Sequence, residues 1–336
     1  MNTVYGGGRV HLRGEFMSDK PDLSALFGAT ESETFLGLEA CEDLEEIDAS
    51  SAFIGAPCAT PYGSVGAYAQ NGPASLRKAM SALTANIDRH NFDLGGPTFP
   101  EGAKPAVDCG DLPWSEIDFS ENRRTIRHAI STVVGRGVVP IVIGGDDSIP
   151  IPMIDAMADT GKTYTILQID AHIDWRESHM GESLGLSSTM RRASEMDHIK
   201  KIIQVGARGI GSGHTSDYED AMAWGVKFFT GLDVHRRGLQ PAIDEIEPGS
   251  QVILCIDIDA LDPSIAPNAI GRAPGGLSYY QVLQLIQSVA DRGRIAAVDF
   301  VEIMPEADVD GIGGLTVSRL VAATMGIIAR QTSGNN

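Results

Sequence analysis

Three short segments of this chain concentrate the residue types that hold divalent metals. They are Gly144-Gly145-Asp146-Asp147-Ser148, Asp170-Ala171-His172-Ile173-Asp174 and Asp257-Ile258-Asp259-Ala260-Leu261-Asp262-Pro263. Each follows an apolar, β-branched run: Val138 to Ile143, Thr165 to Ile169, and Val252 to Ile256. Such a run ending in acids reads as a buried parallel strand that delivers charge to its carboxyl edge. Open α/β sheets bind their ligands at that edge. In an extended segment, alternation puts Asp170, His172 and Asp174 on one side, and Asp257 and Asp259 likewise. Five or more carboxylates cannot share a small volume unless cations neutralise them. The spacing therefore predicts a cluster of two divalent metal ions.

Strands and helices alternate around these segments. Strands are expected at 52–55, 138–143 and 164–169, and near 201–206, 226–230, 251–256 and 296–303. Helices are expected at 72–80, with Pro73 in the first turn, at 116–135 and at 148–159. This alternation predicts an α/β fold, a mostly parallel sheet with helices on both faces. Residues 1–48 read as an N-terminal extension, its acid-rich part from Glu31 to Asp48 as a solvated arm or short helix. Residues 92–113 read as a Gly/Pro-rich excursion. No repeat or linker divides residues 49–336, so they are expected to form one domain.

At the metal-ligand segments the chain resembles the ureohydrolase superfamily, which includes arginases, agmatinases, guanidinobutyrases and biguanide hydrolases of the metformin-hydrolase type. The family's segments read GGDHS, DAHxD and DxDxxDP, where this chain has GGDDS, DAHID and DIDALDP. Glu302, in Val298-Asp299-Phe300-Val301-Glu302, matches a late-strand glutamate of the family. The stretches 206–212 and 273–278 are similar to the agmatinase-like branch. The resemblance implies a three-layer α/β/α, arginase-like fold. It also implies one ion on Asp147, Asp170, Asp174 and Asp257 and a second on Asp170, His172, Asp257 and Asp259. A hydroxide bridging two such ions would attack the substrate carbon, and Glu302 would orient a cationic guanidine or biguanide. The implied reaction is hydrolysis of a C–N bond in a linear amidine. The implied assembly is a homo-oligomer, trimer or hexamer, or a hetero-oligomer with a paralogous subunit.

Two departures from the family pattern bear on chemistry. Asp147 stands where the family has histidine, leaving one imidazole among five carboxylates. Hard oxygen ligands favour Mn2+, and Ni2+ stays open because some relatives use it. Leu184-Gly185 matches a His-Gly that relays protons or contacts substrate in many relatives, so Leu184 is expected to make an apolar wall that suits an alkylated substrate better than arginine. His179, in an expected loop, reads either as a solvent-exposed histidine or as the substitute proton relay, and Trp175 either lines the pocket or plugs the sheet edge. Asp146 reads as a cap and Asp262, before Pro263, as a turn-former. A second functional class stays open alongside the hydrolase: a metal-poor, non-catalytic partner subunit of a heteromeric enzyme.

Composition bounds these readings. The chain has 336 residues, 43% of them hydrophobic, enough for one large core. Its formal net charge of −19 argues against nucleic-acid and anionic-membrane partners and is compatible with a cationic substrate. No run reaches the ~18 apolar residues of a membrane span. No signal-peptide core stands at the N-terminus, and the four cysteines are dispersed without CxxC spacing, so a reducing cytoplasm is expected.

Overall fold

The computed structural model describes residues 32–211 and 213–334. Its strands, in chain order, are β1 (Glu39–Ala40), β2 (Ser51–Ala56), β3 (His90–Asn91), β4 (Gly96–Pro97), β5 (Val107–Asp111), β6 (Val139–Gly144), β7 (Tyr164–Ile169), β8 (Ile199–Val205), β9 (Lys227–Phe229), β10 (Gln251–Asp257) and β11 (Arg294–Val301). β3 and β4 form a small antiparallel pair. The other nine make one sheet in the order β1-β5-β2-β6-β11-β10-β7-β8-β9, with every neighbouring pair parallel.

The apolar runs form strands because both faces of the sheet are covered. On one face Ile141, Ile143, Leu167, Ile169, Leu254, Ile256 and Phe300 pack under the helices Gly72–Met80, Tyr279–Arg292 and Ile312–Ser333. On the other, Val142, Ile166, Ile253, Ala297 and Val301 pack under the helices Phe119–Gly135 and Pro150–Ala156. Alternate residues of one strand thus belong to two separate cores, the arrangement that makes parallel strands read as continuous hydrophobic runs. Helix starts follow local chemistry: Asp118 accepts from Glu121 N, and Ser278 and Gln281 form a reciprocal capping box. The helix Ile312–Ser333 is long and apolar enough for a membrane span, but 83% of its most apolar window is buried inside the protein, so it is a core helix. The architecture is the expected three-layer α/β one.

Two expectations along the chain need correction. The excursion 92–113 contains a strand of the main sheet, β5. Its sequence, Val-Asp-Cys-Gly-Asp, is too polar to read as a strand, yet Asp108 is buried and accepts hydrogen bonds from Phe35 N at 2.7 Å and from Arg77 Nε and Nη2 at 2.8 and 2.9 Å. The acid-rich stretch expected as a solvated arm or short helix forms two short 3-10 turns, Phe35–Gly37 and Leu44–Glu46, and is built into the body. Residues 1–31 lie outside the described residues, but Phe35, Leu36 and Leu38 are buried, Phe35 stacks on Phe53 with ring centroids 5.0 Å apart, and β1 adds to the sheet edge beside β5. The acids at 33–48 face solvent while Phe35, Leu36, Leu38 and Ile47 join the core.

Phe35→Ala is expected to lower unfolding free energy by about 3–5 kcal/mol, as for other buried phenylalanine truncations. Urea denaturation measures it, and a neutral effect would mean that residues 32–48 are not part of the cooperative core.

Candidate metal centre

Parallel strands all present their carboxyl ends at one edge, so adjacency in the sheet decides which loops meet. β6, β11, β10 and β7 are consecutive neighbours. The loop 144–148 leaves β6, Glu302 directly follows β11, Asp257 ends β10, and 170–174 leaves β7. Backbone N–H groups aim the acids. Asp170 Oδ1 accepts from His172 N at 2.6 Å, Asp257 Oδ1 from Asp259 N at 2.7 Å, and Asp259 Oδ1 from Ala171 N at 3.0 Å. The last bond ties the β10 loop to the β7 loop. Gly271 covers this junction, where a Cβ would come within 2.5 Å of Asp259 Oδ2 and 2.7 Å of His172 Cε1, so only glycine fits.

Two overlapping donor sets result. Asp170, His172 and Asp259 each offer a ligand atom within 4.8 Å of the others, and so do Asp147, Asp170 and Asp257. Asp170 is common to both. Asp174 adjoins them through Gln168, whose Nε2 donates to Oδ2 of both Asp170 and Asp174. The electrostatics are those of like charges crowded out of water. Burial, then Asp174 and Asp170, pushes Asp147 well above the carboxylate range; burial, then Asp259 and Asp170, does the same to Asp257. Asp174 and Asp259 are raised as well, by burial first and Asp170 next. Asp170 is also penalised by burial, but hydrogen bonds with His172 and Asp174 outweigh that and hold it low. Burial opposes charge on His172, yet Asp170 and Asp259 push the imidazole up to about 11. The cluster therefore draws a proton onto His172, which a ligating imidazole has to give up. Asp147 Oδ2 is buried with no hydrogen-bond partner. A hard donor set with an unpartnered carboxylate oxygen and unbalanced negative charge fits divalent cations.

Glu302 is in neither donor set. It sits at φ 66°, a left-handed conformation unusual for a non-glycine residue, and its N–H donates to Gly145 O at 2.8 Å. Its Oε1 accepts from Tyr68 Oη and from Asp147 N, the latter at 2.9 Å, while Oε2 is buried without a partner. Burial raises its carboxyl to about 8 against those two hydrogen bonds. Burial and the adjoining Glu302 hold the Tyr68 phenol well above its ordinary value, so it stays a donor. Asp146 accepts from Ala59 N at 3.0 Å and Thr60 N at 3.3 Å, and Asp262 accepts from Gly275 N and Gly276 N at 3.0 and 3.1 Å. Both fasten loops, as their sequence context suggests.

Three residues expected beside a substrate lie elsewhere. Trp175 is 1% exposed, packs in the core against Trp224 and donates Nε1–H to Asp220 at 2.8 Å. It plugs the sheet edge instead of lining a pocket. Leu184 faces a different cavity, bounded by Arg123, Arg127, Ile151, Pro152 and Met196, because the loop after Asp174 folds back over the Phe119–Gly135 helix. His179 stands edge-on to Tyr62, 4.8 Å between centroids, and its Nδ1 accepts from Arg176 Nη1 at 2.5 Å. Among the described residues these are its side-chain partners, and neither belongs to the acid cluster.

Other residues supporting the cluster were not anticipated. Arg208 donates to Gly206 O, Asp259 O, Leu261 O and Ala273 O, pinning the loops around Asp259. Gln168 and Gln204, both 1% exposed, and Asp299, fully buried, lie in strands below the acids. A polar residue flanked by apolar ones, in Leu167-Gln168-Ile169, Ile203-Gln204-Val205 and Val298-Asp299-Phe300, was the available signal for all three. A cavity of about 540 Å3 opens beside His172, lined also by Arg208, His214, Tyr218, Thr230 and Leu232.

The geometry agrees with comparisons to known proteins. The arginase family model matches residues 49–326. The chain is 25% identical over 308 residues to a guanidinobutyrase of Pseudomonas aeruginosa, covering 88% of this chain and 93% of that protein. It is 30% identical over 259 residues to an N(1)-aminopropylagmatine ureohydrolase of Thermus thermophilus, covering 76% and 84%. The fold superposes on the crystal structure of a hypothetical agmatinase from Burkholderia thailandensis with TM-score 0.76 and 22% identity, covering 94% of this chain and 98% of that one. On its sequence, sheet topology and edge constellation, this chain belongs to the arginase family of ureohydrolases.

Proposed function

We propose that this protein is a binuclear metal hydrolase that cleaves a guanidino C–N bond in a small linear substrate. The observation that carries the reading is the pair of donor sets sharing Asp170 beside the unpartnered Oε2 of Glu302. Asp147, Asp170, Asp174 and Asp257 would hold one ion and Asp170, His172, Asp257 and Asp259 the other. Mn2+ suits the oxygen-rich set best, with Ni2+ the alternative. Such ions, when bound, supply Lewis acidity that activates water toward the guanidino carbon. The chain's own part is positioning. Tyr68 and Asp147 N–H fix Oε1 of Glu302, so Oε2 is free to accept a guanidinium N–H and hold the substrate carbon toward the acids. Water adds its oxygen to that carbon, and the amine departs with a proton.

The similarity to enzymes of guanidinobutyrate and aminopropylagmatine supports a guanidino substrate. A biguanide such as metformin rested on an apolar wall at Leu184, which faces another cavity. Free thiols at Cys41, Cys58, Cys109 and Cys255 support a cytoplasmic setting. The oligomer, homomeric or with a paralogue, is a matter for light scattering.

Metal removal and return provide a first check. Chelation should lower the thermal midpoint, and Mn2+ at a thousand times its Kd should restore about 4 kcal/mol per ion, read by differential scanning fluorimetry. No response to Mn2+ or Ni2+ would favour the non-catalytic partner subunit instead.

Glu302→Gln should retain both ions by elemental analysis and lose about 100-fold or more in kcat, as expected for misplaced substrate. Loss of metal from that variant would make Glu302 a ligand.

Assays of agmatine, 4-guanidinobutyrate, arginine, guanidine and metformin, reading urea, guanylurea and released amine, address the substrate. One of the first two should exceed arginine by about tenfold in kcat/KM, the scale of one good pocket contact. A preference for arginine would refute the choice of agmatine or 4-guanidinobutyrate, and a preference for metformin would refute a simple guanidino substrate.

A further inference from the structure

β7 and β8 each carry one glutamine in an otherwise apolar stretch, Gln168 and Gln204, and the strand register places them directly opposite each other. Both are 1% exposed. Gln168 Nε2 donates to Asp170 Oδ2 and to Asp174 Oδ2, each at 2.7 Å. Its Oε1 accepts from Gln204 Nε2, and the same nitrogen donates to Ile173 O at 2.9 Å.

We infer that Gln168 is a positioning residue for the metal centre and that Gln204 orients it, an inference that rests on the binuclear reading above. The argument is one of matching donors to acceptors. An amide has two N–H bonds at one end and an oxygen at the other. Gln204 occupies the oxygen end, so the Gln168 amide cannot turn over, and both of its N–H bonds are left for the two acids. Each bond uses Oδ2 of a carboxylate and leaves Oδ1 outside the pairing. Gln204 also holds the carbonyl of Ile173, the residue between His172 and Asp174, so the whole ligand segment is gripped from the strand below.

The residue type matters as much as the place. Asp170 and Asp174 repel each other, and something must hold them at ligand spacing. A lysine would do so by neutralising them, and its charge would then oppose a dication. A neutral amide donates to both carboxylates without spending the negative charge that attracts the ion. Neighbours that hydrogen-bond ligating groups typically contribute 10–100-fold to metal affinity.

The test uses the full chain, stripped with chelator and titrated with Mn2+ by calorimetry, with circular dichroism and thermal melting to show the fold is kept. Wild type should take up two equivalents. Gln168→Leu should bind the ion proposed for Asp174, two of whose ligands Gln168 holds, about 10–100-fold more weakly, and the other ion, which shares only Asp170, by a clearly smaller factor. Gln204→Leu, which touches no acid, should weaken the same ion by a smaller factor. It keeps the question answerable if Gln168→Leu fails to fold. Unchanged affinity in the folded variants, or equal loss of both ions, would overturn the inference. One equivalent or none in wild type would instead overturn the binuclear reading itself.

Discussion

Repulsion among buried carboxylates sets the terms for this molecule. Asp147, Asp170, Asp174, Asp257 and Asp259 converge at one edge of the sheet, all of them buried. Two such charges about 4 Å apart at a partly screened site oppose each other by several kcal/mol. Burial first, and neighbouring acids next, raise four of the five, Asp147, Asp174, Asp257 and Asp259, and Asp170 and Asp259 push the one imidazole among them up to about 11. An edge that costs this much in the absence of cations is a site organised around them. The proposed pair of divalent ions follows from the same balance of charge.

The surroundings hold the acids in place with few charges of their own. Backbone N–H groups aim Asp170, Asp257 and Asp259, and the Gln168 amide spans Asp170 and Asp174. Asp299, one strand over, accepts from Ile256 N at 3.1 Å, just before Asp257. Arg208 is the cation close by, and it spends its hydrogen bonds on four carbonyls instead of on the acids. Neutral donors aim the acids, while Arg208, bonded to backbone, still places its charge near Asp259 and Asp170. The left-handed turn at Glu302 belongs to the same arrangement: bonded to Gly145 O on one side and anchored through Tyr68 and Asp147 on the other, it leaves one buried carboxylate oxygen without a partner.

Far from the centre, the β1 end of the sheet shows how a short segment protects an edge. β1 pairs for only two residues, and the chain before it sinks Phe35 and Leu36 into the core. Asp108 on β5 holds that segment through Phe35 N and pairs with Arg77 of the neighbouring helix. Short edge strands backed by charged side chains keep a parallel sheet from templating another chain.

Much of this was legible in the sequence. Mostly apolar runs of five or six residues ending in acids identified the buried parallel strands and the edge their acids reach, because a strand covered on both faces leaves few polar positions, Gln168 being one. The candidate metal-ligand residues came from type, alternation and the family's motifs, all local properties. Adjacency was not local. β6, β7, β10 and β11 are consecutive in space only as β6-β11-β10-β7, and that order decides that Glu302 lies beside Asp147 and that Asp259 reaches Ala171. The direction of the loop after Asp174 was equally out of reach: Trp175 turns into the core, Leu184 faces the arginines of a helix, and His179 meets Tyr62. β5, too polar to read as a strand, is held by Arg77 and Phe35, which lie 31 and 73 residues away. The sequence by itself determined which residues carry charge and which strands carry them to the edge. Only the tertiary structure decided which of those residues touch, because contact across strands depends on sheet order, and sheet order comes from packing two cores at once.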